Sequence, residues 1–202
     1  MDITGQRAGL YALISRIFLS EMDPDTLSAI EGMESFNTFF PDYSRWDIRN
    51  ITDRKTLVER YLNVDYTDIA IMHLIPYESF YTTEEAMIET GGANPVVSVY
   101  NEYGYRVDLD RARVVSPDHI GVELEFMKIL CEAQQKAEKA EDEKAAVDIK
   151  EIERGFLKDH LLRFAPMYLI NVAEQARTPF YKDAAKAALE FLLEDYEYLS
   201  GR

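Results

Sequence analysis

The chain has 202 residues and carries 22 lysine and arginine residues against 37 aspartate and glutamate residues, a formal net charge of −15. This acidic balance argues against nucleic acid as a direct partner, because binding phosphates requires clustered basic side chains. Hydrophobic residues make up 47% of the chain, so the sequence can bury a core, and at this length a single domain over residues 1–202 is expected.

The single cysteine, Cys131, excludes an internal disulfide, a four-cysteine zinc site and a Cys-x-x-Cys pair. The first residues, Met1-Asp2-Ile3, place an acid where a secretory signal carries basic residues. No apolar run approaches the roughly 20 residues of a membrane helix. These features predict a cytoplasmic protein without stable membrane insertion.

Apolar residues recur at helical intervals along most of the chain. The first amphipathic helix is predicted over residues 4–20, where Leu10, Ile14 and Ile17 repeat. Asp23-Pro24 predicts the next helix start, because aspartate caps a helix whose first residue is proline. Further starts are predicted at three dipeptides of the same kind and at one capping-box spacing: Asn94-Pro95, Ser116-Pro117, Thr178-Pro179 and Thr82-Thr83-Glu84-Glu85.

The middle and last thirds of the chain also favour helices. Residues 118–133 alternate like a strand, but their length favours a central helix on which Glu123 faces water or a partner. Residues 134–154 predict a solvated helical hairpin that breaks near 141–144. Pro166 is expected to kink or restart a later helix. Because no strand-rich block occurs, the sum is a single all-α bundle of about eight to ten helices.

The sequence lacks the motifs of the common enzyme classes. None of its histidines has a glutamate three residues before it, as the helix bundles that hold two iron or manganese ions require. No phosphate-binding glycine loop and no Gly-x-Ser-x-Gly elbow occurs. Most motif-bearing enzyme classes are therefore excluded, and no cofactor or metal is expected. Function is expected in the longest stretches predicted to be irregular, about 63–82 and 101–115.

The first candidate constellation combines carboxylates with aromatic rings. It consists of Asp65-Tyr66-Thr67-Asp68-Ile69 followed by Pro76-Tyr77-Glu78-Ser79-Phe80-Tyr81. Such a surface can pair with a guanidinium group through charge, planar hydrogen bonds and stacking. One alternative is that the aromatic side chains anchor a long loop on the core: Tyr66, Phe80 and Tyr81. Another is a metal site: Asp65, Asp68, His73 and Glu78.

The second constellation is the run from Ser116 to Met127, which contains Asp118 and His119. Asp118 is explained by the favourable position of an anion near a helix N-terminus, and His119 by a polar gap in the core. The same residues can instead form the polar lip of an apolar groove. A general acid–base role for the pair has no accompanying nucleophile or oxyanion device in the sequence.

At these two segments the sequence resembles the TorD/DmsD/NarJ group of redox-enzyme maturation chaperones. The matching residues occur in the same order and at compatible spacing over most of the chain: Asp65-Tyr66, Pro76-Tyr77-Glu78-Ser79 with Tyr81, Pro117 to Met127, Phe156-Leu157, His160-Leu161, Phe164, Pro166, Ala176, Thr178 and Phe180-Tyr181. The resemblance implies a single-domain, all-helical chaperone of the TorD-like type.

The resemblance also implies a non-enzymatic function in anaerobic respiration. Such a chaperone binds the twin-arginine signal peptide and the apo form of a molybdopterin-dependent oxidoreductase, holds the enzyme until its cofactor is inserted, and thereby delays export. Its signal-peptide-binding residues carry over to one set of positions here: Tyr77, Glu78, Ser79, Tyr81, Pro117, Asp118 and His119. Glu123 joins them because its carboxylate can pair with a leader arginine, as can that of Asp68.

Two other functions stay open at the level of sequence. One is a helical scaffold or assembly subunit with an acidic surface, and the other is a nucleotide-binding enzyme that uses Asp118 and His119. The oligomeric state is open as well. A monomer or a domain-swapped homodimer is expected, since helical domains with long loops can exchange elements.

Overall fold

A computed structural model describes residues 2–201 of the protein. The prediction of an all-α fold is confirmed. Residues 2–201 form no β-strand, and their only β-type pairing is an isolated antiparallel bridge between Tyr77 and His119. None of the helices over this range combines the length and the apolar character that crossing a bilayer requires.

The helices follow one another along the chain with short connections. They are α1 (Ile3–Leu19), α2 (Pro24–Glu31), α3 (Phe36–Phe39), α4 (Pro41–Ser44), α5 (Asp47–Ile51), α6 (Arg54–Thr56), α7 (Asn63–Thr67), α8 (Glu78–Thr82), α9 (Val97–Glu102), α10 (Leu109–Ala112), α11 (Ile120–Lys139), α12 (Glu143–Phe156), α13 (Leu162–Gln175) and α14 (Pro179–Leu199). Three π-helical stretches adjoin them: Leu57–Leu62, Asp68–Met72 and Leu157–Leu161.

The long, strongly periodic helices lie where the sequence predicts them. Helix α1 covers the predicted segment 4–20, and α11 confirms that residues 118–133 are helical. The predicted hairpin is formed by α11 and α12, which are separated only by residues 140–142. Pro166 lies inside α13, and a π-helical stretch directly precedes this helix. The α-helical hydrogen-bond pattern is therefore interrupted before the proline is reached.

Two local predictions for residues 63–85 are wrong. No helix starts at Thr82-Thr83, because the hydroxyls of these residues donate instead to the carbonyls of Glu78 and Ser79, at 3.0 and 2.8 Å, where α8 ends. Residues 63–72, predicted to be irregular, are helical. The loop that the sequence did not single out is 83–96, between α8 and α9.

The described residues divide into two compact units. The first contains residues 2–19, 76–165 and 191–201, and the second contains residues 20–75 and 166–190. Each unit is therefore assembled from segments that are far apart in the sequence. The expectation of a single domain stays a prediction.

A buried arginine joins helices of the first unit. Arg7 of α1 is 4% exposed, and its Nε lies 2.5 Å from Asp195 Oδ1 of α14. Its Nη2 lies 2.6 Å from Glu153 Oε2 of α12, and its Nη1 donates to Gln134 Oε1 of α11 at 3.2 Å. The hydroxyl of Tyr11 adds a 2.6 Å hydrogen bond to Asp195 Oδ2. One guanidinium group thus satisfies polar groups from three other helices.

Helices α1 and α11 of the first unit approach each other closely at Gly121. A Cβ added to Gly121 would lie 2.8 Å from Leu19 Cβ and 3.0 Å from Leu19 Cα. The hydroxyl of Ser15 donates to the Gly121 carbonyl at 2.7 Å. Only glycine leaves room for this contact, so the start of α11 is held against the end of α1.

The second unit combines stacked aromatic rings with an aspartate that caps a distant helix. Phe180 stacks on Phe40 with ring centroids 5.0 Å apart and meets Tyr43 edge-on at 5.1 Å. Asp183 Oδ2 accepts hydrogen bonds from the backbone N–H groups of Asp42 and Tyr43, both at 2.8 Å. These amides lie in the first turn of α4, where they have no partner within the helix.

Replacing Arg7 with methionine should destabilise the protein strongly. The change leaves the carboxylates of Glu153 and Asp195 buried without their cation, and breaking a buried pair in this way costs about 3–5 kcal/mol. The free energy of unfolding, measured by urea denaturation, should fall by that amount. A wild-type denaturation midpoint for Arg7→Met would contradict the role assigned to the buried guanidinium.

Candidate functional site

The two segments singled out in the sequence pair with each other in the first unit. Tyr77 and His119 form the antiparallel bridge. The Glu78 N–H donates to the Asp118 carbonyl at 3.0 Å, and the Ile120 N–H donates to the Pro76 carbonyl at 2.8 Å. We call residues 76–79 and 116–120 the paired segments.

Asp118 is buried between the paired segments. Its side chain is 0% exposed, Oδ2 accepts a 2.7 Å hydrogen bond from the Ser79 N–H, and Oδ1 lies 2.5 Å from Ser116 Oγ. The sequence explained Asp118 by the N-terminus of its own helix. The structure corrects this, because the carboxylate caps α8, a helix that begins 40 residues earlier at Glu78.

Ser116 links the paired segments to the loop 83–96. Its Oγ accepts a hydrogen bond from Asn94 Nδ2 at 2.9 Å and lies 2.7 Å from the Glu89 carbonyl. The Glu89 N–H donates to Ser79 Oγ at 2.9 Å. The sequence predicted that Ser116-Pro117 starts a helix, and this prediction is wrong. Helix α11 starts at Ile120, and Ser116 binds a neighbouring loop instead.

His119 is the residue that caps α11. Its Nδ1 accepts a 3.0 Å hydrogen bond from the Gly121 N–H, and the Tyr77 ring packs edge-on at 5.1 Å. Burial lowers the pKa of His119 to about 4. The imidazole is therefore neutral at pH 7 and keeps the lone pair that the cap needs. The alternative in which His119 fills a polar gap in the core agrees with this position.

Two glutamates are buried beside the paired segments. Glu78 is 0% exposed, and its Oε2 lies 3.0 Å from Nδ1 of His160, a residue that the motif analysis did not select as a site residue. Glu123 is also 0% exposed, which overturns the expectation that it faces water or a partner. Among the described residues, Glu78 Oε1 and both carboxyl oxygens of Glu123 have no hydrogen-bond partner.

The buried carboxyl group of Glu123 favours its protonated form. Burial, together with the nearby charges of Glu78 and Asp118, raises the pKa of Glu123 well above its ordinary value. Burial also raises the pKa of the Cys131 thiol on the same helix. Cys131 is fully buried, as expected for a small apolar side chain, and its thiolate is disfavoured.

The Asp65 end of the first constellation lies in the second unit and is structural. Asp65 is buried, and its carboxylate accepts hydrogen bonds from the N–H groups of Arg177 and Thr178 at 2.9 and 2.7 Å. It thereby caps α14. Asp68 forms a 2.8 Å ion pair with Arg177. Among residues 2–201, no group of three or more His, Cys, Asp or Glu side chains is arranged to hold a metal ion, so the metal-site alternative gains no support.

Aromatic residues of the first constellation pack against other rings within each unit. In the first unit, the Tyr81 ring lies 5.9 Å from Phe164 and 5.2 Å from Phe80 between centroids. In the second unit, Tyr66 packs on Tyr181 at 6.1 Å. These contacts agree with the alternative in which the rings anchor their segments on the core.

A pocket of about 360 Å³ opens on the surface of the first unit. One wall comes from α9 and the residue after it, and the other from α12 and the π-helical stretch that follows. The lining residues are Val99, Glu102 and Tyr103 on the first wall, and Glu151, Ile152, Gly155, Phe156, Asp159 and His160 on the second. The spacing of 151, 155 and 159 already places these residues on one helical face, but the sequence analysis did not connect them with residues 99–103.

The all-helical fold and the similarity to known chaperones place the protein in the TorD-like class. The chain belongs to the nitrate reductase delta subunit family, whose model matches residues 33–169. Two curated relatives, from Vibrio vulnificus strains YJ016 and CMCP6, are each named Chaperone protein TorD. Each is 23% identical over 211 residues, which cover 97% of this chain and 95% of the relative. No solved structure matches the chain. The predicted family resemblance is confirmed.

Replacing Asp118 with alanine should destabilise the paired segments. The change leaves the buried Ser79 N–H without an acceptor, which costs about 1–3 kcal/mol in the free energy of unfolding. Asp118→Asn should cost less, because its amide oxygen still accepts from Ser79 and its amide nitrogen can donate to Ser116. Urea denaturation measures both values, and equal losses for the two variants would contradict the capping role.

Replacing Glu123 with glutamine should change how stability depends on pH. The folded protein keeps a proton on Glu123 that the unfolded chain releases above its ordinary pKa, so wild-type stability falls as pH rises through that window. The substitution removes this term. The stability of Glu123→Gln relative to wild type should therefore increase from about pH 5 to about pH 8, by up to about 1.4 kcal/mol per pH unit. Parallel stability curves over this range would contradict the raised pKa.

Proposed function

We propose that the protein is a cytoplasmic chaperone that binds the twin-arginine signal peptide and the apo form of a molybdopterin-dependent oxidoreductase. It assists cofactor insertion and delays export until the client is mature. The family match and the names of the two relatives support this proposal. The proposal includes a non-enzymatic role, which agrees with those names.

The observation that carries the proposal is the pairing of residues 76–79 with 116–120. These are the segments through which the sequence resembles the chaperones, and hydrogen bonds join them although they are about 40 residues apart in the chain. A net charge of −15 is a second support. An acidic protein attracts a leader that carries adjacent arginines, and such complementarity raises the association rate and fixes the register of binding.

Burial suggests how the proposed signal-peptide-binding residues act. Most of them are buried, and only two are partly exposed: Tyr81 and Pro117. The polar groups of Asp118, Ser79 and His119 form hydrogen bonds within helix caps and with the neighbouring loop. We propose that these residues shape and hold the binding surface, while exposed side chains next to them contact the peptide.

The same geometry bears on the enzyme alternative. Asp118 bonds to Ser79 and Ser116, and the Nδ1 of His119 bonds to Gly121. Both groups already have structural partners, so the arrangement favours the capping role over an acid–base pair. A scaffold without leader recognition differs from the chaperone in a measurable way, because it is indifferent to a signal peptide.

The test is calorimetric titration of the purified protein with a synthetic peptide. Its sequence is the twin-arginine leader of a molybdoenzyme encoded beside this protein. We expect saturable binding that weakens as salt increases, since exposed ionic contacts are screened. Changing both leader arginines to glutamine should weaken binding by about tenfold or more, the equivalent of about 1.4 kcal/mol.

The control is a peptide of the same composition in scrambled order, which should bind no better than the glutamine peptide. If the native leader and the scrambled peptide bind equally, or neither binds, leader recognition is wrong. The scaffold alternative would then be favoured.

A further inference from the structure

The acidic residues of the paired segments and of α11 that were predicted to bind the leader arginines are buried. Glu78, Asp118 and Glu123 are each 0% exposed. A guanidinium group cannot reach them without opening the core, and Glu123 favours its neutral form. The carboxylates that meet the arginines must therefore lie on the surface, close to the paired segments.

The pocket between α9 and α12 offers such carboxylates. Among the described residues, those that line it include three acidic side chains, Glu102, Glu151 and Asp159, and no lysine or arginine. Glu102, Glu151 and Asp159 are all exposed. The pocket is thus negative at its mouth, with a volume of about 360 Å³ that accommodates a long side chain.

Two of the lining residues of the pocket are aromatic, Phe156 and His160, and His160 connects to the buried Glu78. The rings of Phe156 and His160 stack with centroids 4.8 Å apart. The Nδ1 of His160 lies 3.0 Å from Glu78 Oε2, and the other oxygen of Glu78 is buried without a partner. An unsatisfied carboxylate oxygen thus lies one hydrogen bond behind the pocket wall. A planar cation gains from stacked rings as well as from carboxylates.

Two of the acidic side chains have weak partners on the surface. Glu151 lies 2.6 Å from Arg154 three residues along the helix, and Asp159 lies 3.5 Å from Lys158. Exposed pairs of this kind contribute little to stability. An incoming guanidinium group can therefore displace Arg154 and Lys158 from these carboxylates, or share the carboxylates with them, at a small cost in free energy.

We propose that this pocket receives an arginine side chain of the client's twin-arginine leader, an inference that rests on the proposed function. The guanidinium group pairs with Glu102, Glu151 and Asp159, and its plane lies on the aromatic lining residues. The pocket is the direct contact, and the paired segments support it from behind through Glu78 and His160.

The first test fills the pocket. A Cβ added to Gly155 meets no atom within 4 Å, so Gly155→Leu directs its side chain into open space. We expect leader affinity to fall about tenfold or more, because the leucine side chain fills the pocket and excludes the leader arginine from a binding hot spot. Gly9→Leu is the matched control. Gly9 is also helical, and an added Cβ there meets no atom within 4 Å. It is exposed and lies outside the pocket, so this variant should keep wild-type affinity.

The second test removes the charge and keeps the shape. The variant carries Glu102→Gln, Glu151→Gln and Asp159→Asn. The control makes the same change in net charge and side-chain type at exposed positions of the second unit: Glu34→Gln, Glu174→Gln and Asp47→Asn. We expect the pocket variant to bind the leader about tenfold more weakly and with less dependence on salt. The control should retain wild-type affinity within about twofold.

A double-mutant cycle shows whether the pocket meets the arginines. The wild type and the pocket charge variant are each titrated with the native leader and with the peptide in which glutamine replaces both arginines. If the carboxylates pair with an arginine, the two losses are not additive. Additive losses overturn the proposal, and so does unchanged leader affinity in both pocket variants; the proposed function survives either result. Absence of leader binding to the wild type overturns the proposed function, and the pocket proposal with it.

Discussion

Both units depend on aspartate carboxylates that cap helices far away in the sequence. Asp118 caps α8 through Ser79, Asp65 caps α14 through Thr178, and Asp183 caps α4 through Tyr43. The first turn of any helix leaves amide groups without partners, and burying such groups is costly unless an acceptor is supplied. Helices α4 and α8 have only 4 and 5 residues. Segments so short are not stable alone, so the remote carboxylates define where they form.

This constraint explains why residues that look like binding groups are buried. In the sequence, Asp65 stands beside aromatic residues, as in a guanidinium site, and Asp118 is a candidate for the polar lip of an apolar groove. In the structure, Asp65 caps a helix of the second unit and Asp118 caps a helix of the first. Within the first unit, exposed acidic side chains lie around the pocket between α9 and α12. His119 and Glu123 are buried as well. Burial lowers the pKa of the His119 imidazole and raises the pKa of the Glu123 carboxyl group, so both groups favour their neutral forms.

The sequence predicts what local periodicity controls. Helices α1, α11 and α14 carry long apolar repeats, and their existence and approximate bounds follow from that pattern. The site segments also follow, through the family resemblance. The burial of Glu123 does not follow from periodicity, because the charged groups near it, Glu78 and Asp118, come from other segments of the chain. Nor do the caps, since the residues they join are 39, 113 and 140 positions apart. The pocket joins α9 to α12, and only the helical face of Glu151, Gly155 and Asp159 is visible in the sequence.

The segmental construction of the units has a consequence for synthesis on the ribosome. The second unit needs residues 166–190 and the first needs residues 191–201, so neither unit can close while the middle of the chain is still emerging. Until Asp183 and Asp195 are available, the amides of α4 and the guanidinium of Arg7 lack their native partners. Contacts of such long sequence separation form late, because the entropy of closing long loops opposes them. The nascent chain of this chaperone is therefore itself exposed to misfolding for most of its translation.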